Sequence, residues 1–282
     1  MLIGNHITEV AYNVQTTVDA KHHLTLDYKV TNHNDSKAMG PMLRRAKCIL
    51  GSADFTALYD KGYHTGSELK KGIAMGVNVM VAVPGVASFA PDGCYNVEHF
   101  VYDPAADTYT CPQAVVLQTN GQWYVKSDHG YVVKHYKTGA CKSCRAFSLC
   151  TRNKNGRLIE RSEYQDYVDQ NKSNIENSPE TYKRRQALIE HTYGIIKRQW
   201  GFYYVMTKRG LKRATADVGL MFTALNLRRL MNIIDKNEFK KFLQELALLL
   251  FSKTASLKRF TRLRRPLFLS LTFWLPKIKV AA

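Results

Sequence analysis

The chain has 282 residues, with 41 lysines and arginines against 23 aspartates and glutamates, and its formal net charge is +18. This length suffices to bury a substantial core without disulfide bonds, and the hydrophobic share of 45% excludes a chain that is disordered throughout. The excess of positive charge favours a polyanionic partner, either a nucleic acid or an acidic membrane surface, which an enzyme of small metabolites would not need.

The first residues, the apolar runs and the cysteines bear on the location of the protein. Residues 1–20 lack the basic segment and apolar stretch of a signal peptide. The longest purely apolar run covers residues 246–251, far short of the roughly 20 residues that a membrane span needs. We therefore expect a cytoplasmic protein without a membrane partner, in which clustered cysteines more often hold a metal ion than form disulfides.

The first part of the chain alternates strands with helices. Alternating β-forming residues predict an antiparallel hairpin over residues 10–32. Apolar residues at helical spacing predict a helix over residues 39–50, which Gly51 ends and in which Cys48 is a core candidate. A strand over residues 55–59, a helix to about residue 75 and a strand over residues 77–83 follow. This order predicts an α/β fold.

Residues 86–178 differ in composition, because they combine short strands with turn residues and hold all the cysteines except Cys48. Two of these strands flank the sequence Thr-Asn-Gly-Gln at residues 119–122, which predicts a hairpin turn. Helices are predicted over about 178–200, 213–235 and 237–251. The predicted domains are an N-terminal part over 1–85, a β-rich insertion over 86–178, a helical part over 179–235, and a helix with a basic tail over 236–282.

Asp60 directly follows the predicted strand over residues 55–59 and opens an Asp-Lys-Gly-Tyr turn. A carboxylate at the C-terminal end of a strand is well placed to bind a divalent ion, because the loop is exposed while the sheet holds it rigidly. The alternative is an ordinary turn aspartate, since Asp-x-Gly is common in turns.

Glu190 is the only acidic residue between residues 181 and 213, a segment that contains nine lysines and arginines. Lys183 and Lys197 each lie seven residues away, which puts all three on one helix face. A lone carboxylate among cations suits a metal ligand beside a phosphate backbone. The alternative is an ion pair within the helix, although Gly194 at the i+4 position offers no partner.

Four cysteines of the insertion have a spacing that indicates a metal site. Cys141, Cys144 and Cys150 form a C-x2-C-x5-C pattern, and Cys111 supplies a fourth candidate ligand 30 residues earlier. Structural zinc takes four thiolates or imidazoles, and C-x2-C is the usual half-site, so these cysteines are candidate ligands of Zn2+. The alternative is a set of reduced, buried cysteines.

A basic and aromatic stretch ends the helix of Glu190. Lysines and arginines contact phosphates, whereas aromatic rings stack on bases or, more often, pack in a core. The candidate DNA contacts are Lys183, Lys197, Arg198, Lys208 and Arg209. Eight further lysines and arginines in residues 252–282 extend this surface or form a solvated tail.

Three segments of the chain together resemble the DDE transposases of bacterial insertion sequences. They are residues 11–19 (AYNVQTTVD), 57–63 (ALYDKGY) and 189–198 (IEHTYGIIKR). The cysteine segment and residues 225–229 (LNLRR) are similar to the same family. The segments occur in the order of the family and cover residues 10 to about 235.

The resemblance implies an RNase H-like catalytic domain, in which a mixed sheet is flanked by helices and three carboxylates bind two divalent ions, normally Mg2+. It implies that Asp60 is the second carboxylate and Glu190 the third, with the insertion between them. It also implies that Lys197 and Arg198 contact phosphates during cleavage and strand transfer of transposon-end DNA. A second copy of the chain is a further candidate partner.

The first carboxylate of the family lies on a strand upstream of the hairpin, and residues 1–9 contain no aspartate. Asp19 and Asp27 lie within the hairpin but do not match the motif. We therefore expect a truncated transposase that does not cleave DNA by itself. The alternatives are a non-catalytic DNA-binding protein that keeps this fold, and a protein that binds anionic membranes through residues 252–282.

Overall fold

The computed structural model describes residues 2–3, 7–8, 12–85, 89–126, 130–203 and 210–258, with the backbone alone for residues 2–3, 7–8 and 250–258. It has a mixed α/β fold, which confirms the fold class predicted from the sequence. Two compact units divide the chain, Met1–Asn226 and Leu227–Ala282. The domain bounds inferred from composition stay a prediction.

The elements before residue 86 follow the predicted order. They are β1 (Leu2–Ile3), β2 (Ile7–Thr8), β3 (Asn13–Val18), β4 (Thr25–Thr31), α1 (Met39–Leu50), β5 (Thr56–Tyr59), α2 (Gly66–Ala74) and β6 (Asn78–Val81). Strands β3 and β4 form the predicted antiparallel hairpin, and β5 pairs in parallel with β6. Among the described strands, these two pairs are separate sheets.

The later elements comprise an antiparallel sheet and five further helices of the described chain. They are β7 (Val101–Asp103), β8 (Thr108–Thr110), β9 (Val116–Lys126), β10 (Tyr131–Lys137), α3 (Phe147–Cys150), β11 (Ile159–Ser162), α4 (Gln165–Asn177), α5 (Pro179–Gly194), α6 (Leu211–Ile233) and α7 (Lys236–Lys258). The five strands β7 to β11 pair with their neighbours in chain order.

Helix α1 begins the core beneath the β5–β6 pair. Met39 and Leu43 are fully buried with apolar residues of α2 and β6, as the helical spacing predicts. Gly51 ends the helix with a φ of +65°, a left-handed conformation that glycine adopts without strain. The core position predicted for Cys48 is wrong, because Cys48 lies on the exposed face of the helix.

A second core forms where α6 and the end of α5 pack on the hairpin. Its buried residues are Val30, Ile195, Ile196, Ala214, Val218, Met221, Phe222 and Leu225. Trp200 and Phe202 pack against this core, as expected for aromatic residues beside a buried helix. The Asn226 side chain fixes the start of β4 by bonding the backbone N–H and C=O of Thr25, each at 2.8 Å.

The hairpin predicted around residues 119–122 is wrong, because β9 runs without interruption through these residues. Thr119 opposes Tyr136 and Trp123 opposes Lys134, so the extra residues of β9 between them form a bulge in the ladder. Gly121 takes a φ of +75° within it. A bulge and a hairpin turn both favour Asn-Gly, and pairing with β10 decides between them.

Helix α4 lies inside the sequence range assigned to the insertion, but it packs against α2 and β6. Its Asn171 side chain is almost fully buried and bonds both backbone groups of Val81, accepting from N–H at 2.8 Å and donating to C=O at 2.9 Å. This asparagine therefore occupies the place of a neighbouring strand at the end of β6.

None of the described helices is long and apolar enough to span a membrane. The residues 259–282 that carry most of the proposed membrane-binding segment lie outside the described part of the chain.

Replacing Asn171 with alanine should lower the free energy of unfolding by about 2–4 kcal/mol, because both buried backbone groups of Val81 lose their partner. Urea denaturation followed by circular dichroism measures this loss. The matched control is Asn177→Ala on the exposed face of the same helix, which should cost well below about 1 kcal/mol. Equal losses in the two variants would show that the Asn171 contacts do not stabilise β6.

Candidate functional site

Asp60 lies at the end of β5, where the strand leads into a short helical turn over Lys61–Tyr63. Its Oδ1 accepts hydrogen bonds from the backbone N–H of Lys61 at 2.7 Å and from Arg185 Nη1 at 2.8 Å. The side chain is 71% exposed. The carboxylate therefore caps its own turn, as a turn aspartate does, and also reaches solvent, as a metal ligand must.

Glu190 lies on the exposed surface of α5. Its Oε1 accepts a hydrogen bond from Gln186 Nε2 at 2.7 Å, one helical turn earlier. The partner is thus a neutral amide and not a cation of the helix. A neutral donor orients the carboxylate while leaving its charge available to a positive ligand.

Helix α5 contacts both strand pairs of the N-terminal part. Near the middle of the helix, Arg185 Nη1 donates to the carbonyl oxygen of Tyr59 at 3.2 Å, beside its bond to Asp60. Near its end, the Tyr193 hydroxyl donates to the carbonyl oxygen of Val14 at 3.1 Å. Burial raises the pKa of Tyr193, so this hydroxyl stays a donor. The segment that carries Glu190 is therefore fixed at both ends.

A π-helical turn over Ile195–Gln199 continues α5. Ile195 and Ile196 are buried in the core beneath the hairpin, whereas Lys197 and Arg198 are exposed. The wider turn thus presents two consecutive cations to solvent directly after two consecutive core residues. Turns of this type occur often at functional sites.

The other predicted DNA contacts differ in their surroundings. Lys183 is exposed on α5 but pairs with Glu180 at 2.8 Å, three residues earlier. The Lys197 ammonium lies 5.6 Å from the centre of the Tyr193 ring. Lys208 and Arg209 lie outside the described residues.

Asp35, which no sequence pattern singles out, joins the hairpin to the Asp60 loop. Its Oδ1 accepts hydrogen bonds from Asn13 Nδ2 at 2.6 Å and Gln15 Nε2 at 2.9 Å, both on β3. Burial, followed by the negative charge of Asp35, raises the pKa of Tyr63 in the Asp60 turn. The signal in the sequence is the pair of amides at alternate positions of a strand, which together require a polar partner.

The two hairpin aspartates considered as substitutes for a first carboxylate have structural partners. Asp19 Oδ2 accepts a hydrogen bond from the backbone N–H of His22 at 2.6 Å in the turn. Asp27 pairs with Arg45 Nε of α1 at 2.5 Å. In the part of the chain that the structure describes, no three His, Cys, Asp or Glu side chains are grouped so that they would hold a metal ion as they stand.

The structure brings the four cysteines of the predicted zinc site to one small cavity in the insertion. They are Cys111, Cys141, Cys144 and Cys150, and all four are free thiols. Burial raises the pKa of the Cys150 thiol, the positive charge of Arg157 lowers it, and negative charge on the other three cysteines, when they ionise, raises it. The four cysteines thus share one cavity, but among the described residues they are not grouped closely enough to hold a metal ion as they stand.

Comparison with known proteins gives one family. Residues 110–231 match the family model described as "Transposase DDE domain". The matched residues include Glu190 and the four cysteines of the cavity, whereas Asp60 lies before them. No curated protein and no solved structure matches the chain. Domains of this family act on DNA and generally use a divalent metal ion, usually Mg2+.

Replacing Arg185 with glutamine should lower the free energy of unfolding by about 1 kcal/mol, because α5 loses its bonds to the end of β5. The exposure of Asp60 keeps the effect small, and added salt should shrink it further. Urea denaturation at low and high ionic strength measures both. The control is Arg184→Gln, an exposed arginine on the same helix. An equal effect of both variants would contradict a specific role of Arg185.

Proposed function

We propose that this chain, which matches the transposase DDE domain model over residues 110–231, is the transposase of an insertion sequence and cleaves and transfers DNA strands. The lack of cleavage expected from the sequence is the second candidate function below. The match over residues 110–231 carries the proposal, because it includes the whole of α5 with Glu190. The exposed cations of the π-helical turn and the net charge of +18 agree with a DNA partner.

In this proposal the cations at the end of α5 hold the DNA backbone. Lys197 and Arg198 are exposed, lie next to each other and follow residues that are fixed in the core. Lys197 and Arg198 follow Glu190 by about two helical turns, since a helix has about 3.6 residues per turn. Phosphate contacts of this kind position DNA without reading its sequence.

The candidate metal ligands are Asp60 and Glu190. Both offer exposed carboxylate oxygens, the ligands that Mg2+ prefers, and Mg2+ often binds through one or two carboxylates together with water and substrate phosphates. When bound, such an ion activates the attacking hydroxyl or water and stabilises the leaving oxygen. The chain itself orients the two carboxylates. The backbone N–H of Lys61 donates a hydrogen bond to Asp60, and the side-chain amide of Gln186 donates one to Glu190.

A second candidate function is DNA binding without cleavage. Two observations favour it: the carboxylate of Asp60 is paired with Arg185, which competes with a metal ion, and the described residues contain no third carboxylate grouped with Asp60 and Glu190. The same cationic surface of α5 serves this function. The two candidates therefore differ in chemistry and not in the DNA-binding surface.

Asp60→Asn and Glu190→Gln should each lower Mg2+-dependent cleavage by on the order of 100-fold or more, because the metal ion loses a negatively charged ligand. Cleavage of DNA that carries the ends of the encoding element measures this, with the full chain. The controls are Asp54→Asn, at the other end of β5, and Glu180→Gln, on the same helix as Glu190.

The pattern of results separates the two candidate functions. Loss in the site variants alone supports the transposase. Tight DNA binding by the parent chain without any cleavage supports the second candidate, and cleavage that survives both site variants refutes their assignment as metal ligands.

Lys197→Ala and Arg198→Ala should each weaken DNA binding to a similar extent for unrelated sequences, because phosphate contacts carry no sequence information. Each should also reduce the slope of log affinity against log salt by about 0.9. Binding titrations at several salt concentrations measure the slope. Lys154→Ala, an exposed lysine of the insertion, is the control, and an unchanged slope in the α5 variants would contradict their phosphate contacts.

A further inference from the structure

The insertion contains a small cavity of about 30 Å³, and four cysteines line it. They come from three separate segments: Cys111 follows β8, Cys141 and Cys144 belong to one short turn, and Cys150 ends α3. The remaining two cysteines, Cys48 and Cys94, are exposed and do not line it. Folding has therefore gathered those four of the six cysteines that the spacing pattern singles out.

We propose that Cys111, Cys141, Cys144 and Cys150 bind one structural zinc ion in this cavity. Four thiolates in a tetrahedron are a common ligand set of structural zinc, and the C-x2-C pair supplies one half of the site. Soft thiolates select zinc over Mg2+, so this ion is distinct from the one proposed at Asp60. The inference does not depend on the proposed function, because it concerns the insertion alone.

Arg157 supplies the positive charge that such a site needs. Zinc with four thiolates carries a net charge of −2, which is costly beside a core unless a cation lies close. Arg157 lines the same cavity and donates from Nη1 to the carbonyl oxygen of Cys150 at 3.3 Å. Its Nε is buried and has no hydrogen-bond partner among the described residues. A thiolate at the cavity would accept from this N–H.

The backbone around the cavity is held by the sheet on one side and by tight turns on the other. Cys111 and Cys150 pack against the insertion core formed by Phe100, Tyr109, Leu117, Tyr136 and Ile159. The N–H of Cys144 donates to the carbonyl oxygen of Cys141 at 3.2 Å, which closes the turn of the C-x2-C pair. Two ligands are thus anchored to the core and two lie on one compact turn.

Gly156 lets the C-x2-C turn approach closely. Its φ of +97° is a conformation that glycine adopts readily, and a Cβ at this position would lie 2.8 Å from the Cβ of Cys141. The segment that leads to Arg157 therefore packs directly on a cavity cysteine. Zinc would join this segment, the turn and the sheet.

Binding requires the thiols to turn toward the centre of the cavity, because the described residues show no ligand group in place. Rotation about the Cα–Cβ bond of a cysteine moves its sulfur without moving the backbone. The shared cavity, the cation and the buried N–H are the observations on which the proposal rests.

The test is the metal content of the full chain, purified without added chelator and measured by elemental analysis. We expect about one zinc ion per chain, and replacement by Co2+ should give the charge-transfer and d–d absorption of a tetrahedral thiolate site. Cys144→Ser and Cys111→Ser should retain well below one ion per chain. Arg157→Gln should weaken zinc binding by roughly 10- to 100-fold in a chelator competition, as loss of an outer-shell partner does.

The matched controls are Cys48→Ser and Cys94→Ser, which remove exposed cysteines and should keep the full zinc content. Circular dichroism identifies variants that fail to fold. If the cysteine variants do not fold, the Co2+ spectra of the parent chain and of Arg157→Gln test the proposal in their place. Zinc-free parent protein without a thiolate–cobalt spectrum would overturn the proposal. So would disulfides between the four cysteines, or equal loss of zinc in the control variants.

Discussion

Helix α5 makes the contacts on which the geometry of both candidate carboxylates depends. Arg185 bonds the end of β5 at Asp60, and Tyr193 bonds a backbone carbonyl of β3. Among the described strands β3 and β5 belong to separate sheets, so hydrogen bonds of a common ladder do not align them. Helix α5 aligns the two strands because it contacts both of them, and the polar contacts of Asp35 add to this. Because Glu190 lies between the two anchors, a shift of α5 would move it relative to Asp60.

The charges of this helix are used in two different ways. Arg185 is half-buried and neutralises a carboxylate, whereas the cations of the π-helical turn face solvent. A divalent ion at Asp60 therefore competes with a guanidinium, while a phosphate at Lys197 and Arg198 meets exposed positive charge. The electrostatics favour DNA binding directly, and they favour metal binding only when another ligand compensates for the displaced arginine.

The insertion has a core of its own, and two polar groups lie beside it. In the first, hydrogen bonds from Lys134 and Tyr136 hold the pKa of Asp107 at about 2, with a further bond from Tyr102. In the second, four thiols and an arginine line a cavity next to the same aromatic core. A small sheet buries little apolar surface, so contacts that tie its loops together have a large share in its stability. The proposed zinc ion would act in this way.

The sequence by itself determined the features that depend on near neighbours. The hairpin, α1 with its end at Gly51, and the α/β order follow from periodicity, and the cysteine spacing indicated which four of the six thiols share a cavity. Glu190 stood out because it is alone among cations. Only the tertiary structure decided that β9 continues through Asn-Gly with a bulge, and that the Asn171 side chain bonds the backbone of Val81 at the end of β6. It also decided that Arg185 pairs with Asp60, which lies 125 residues away in the sequence. The sequence around each of these residues does not indicate its partner. The reason is that the free energy that stabilises such a contact arises only when the distant segments meet in the folded chain.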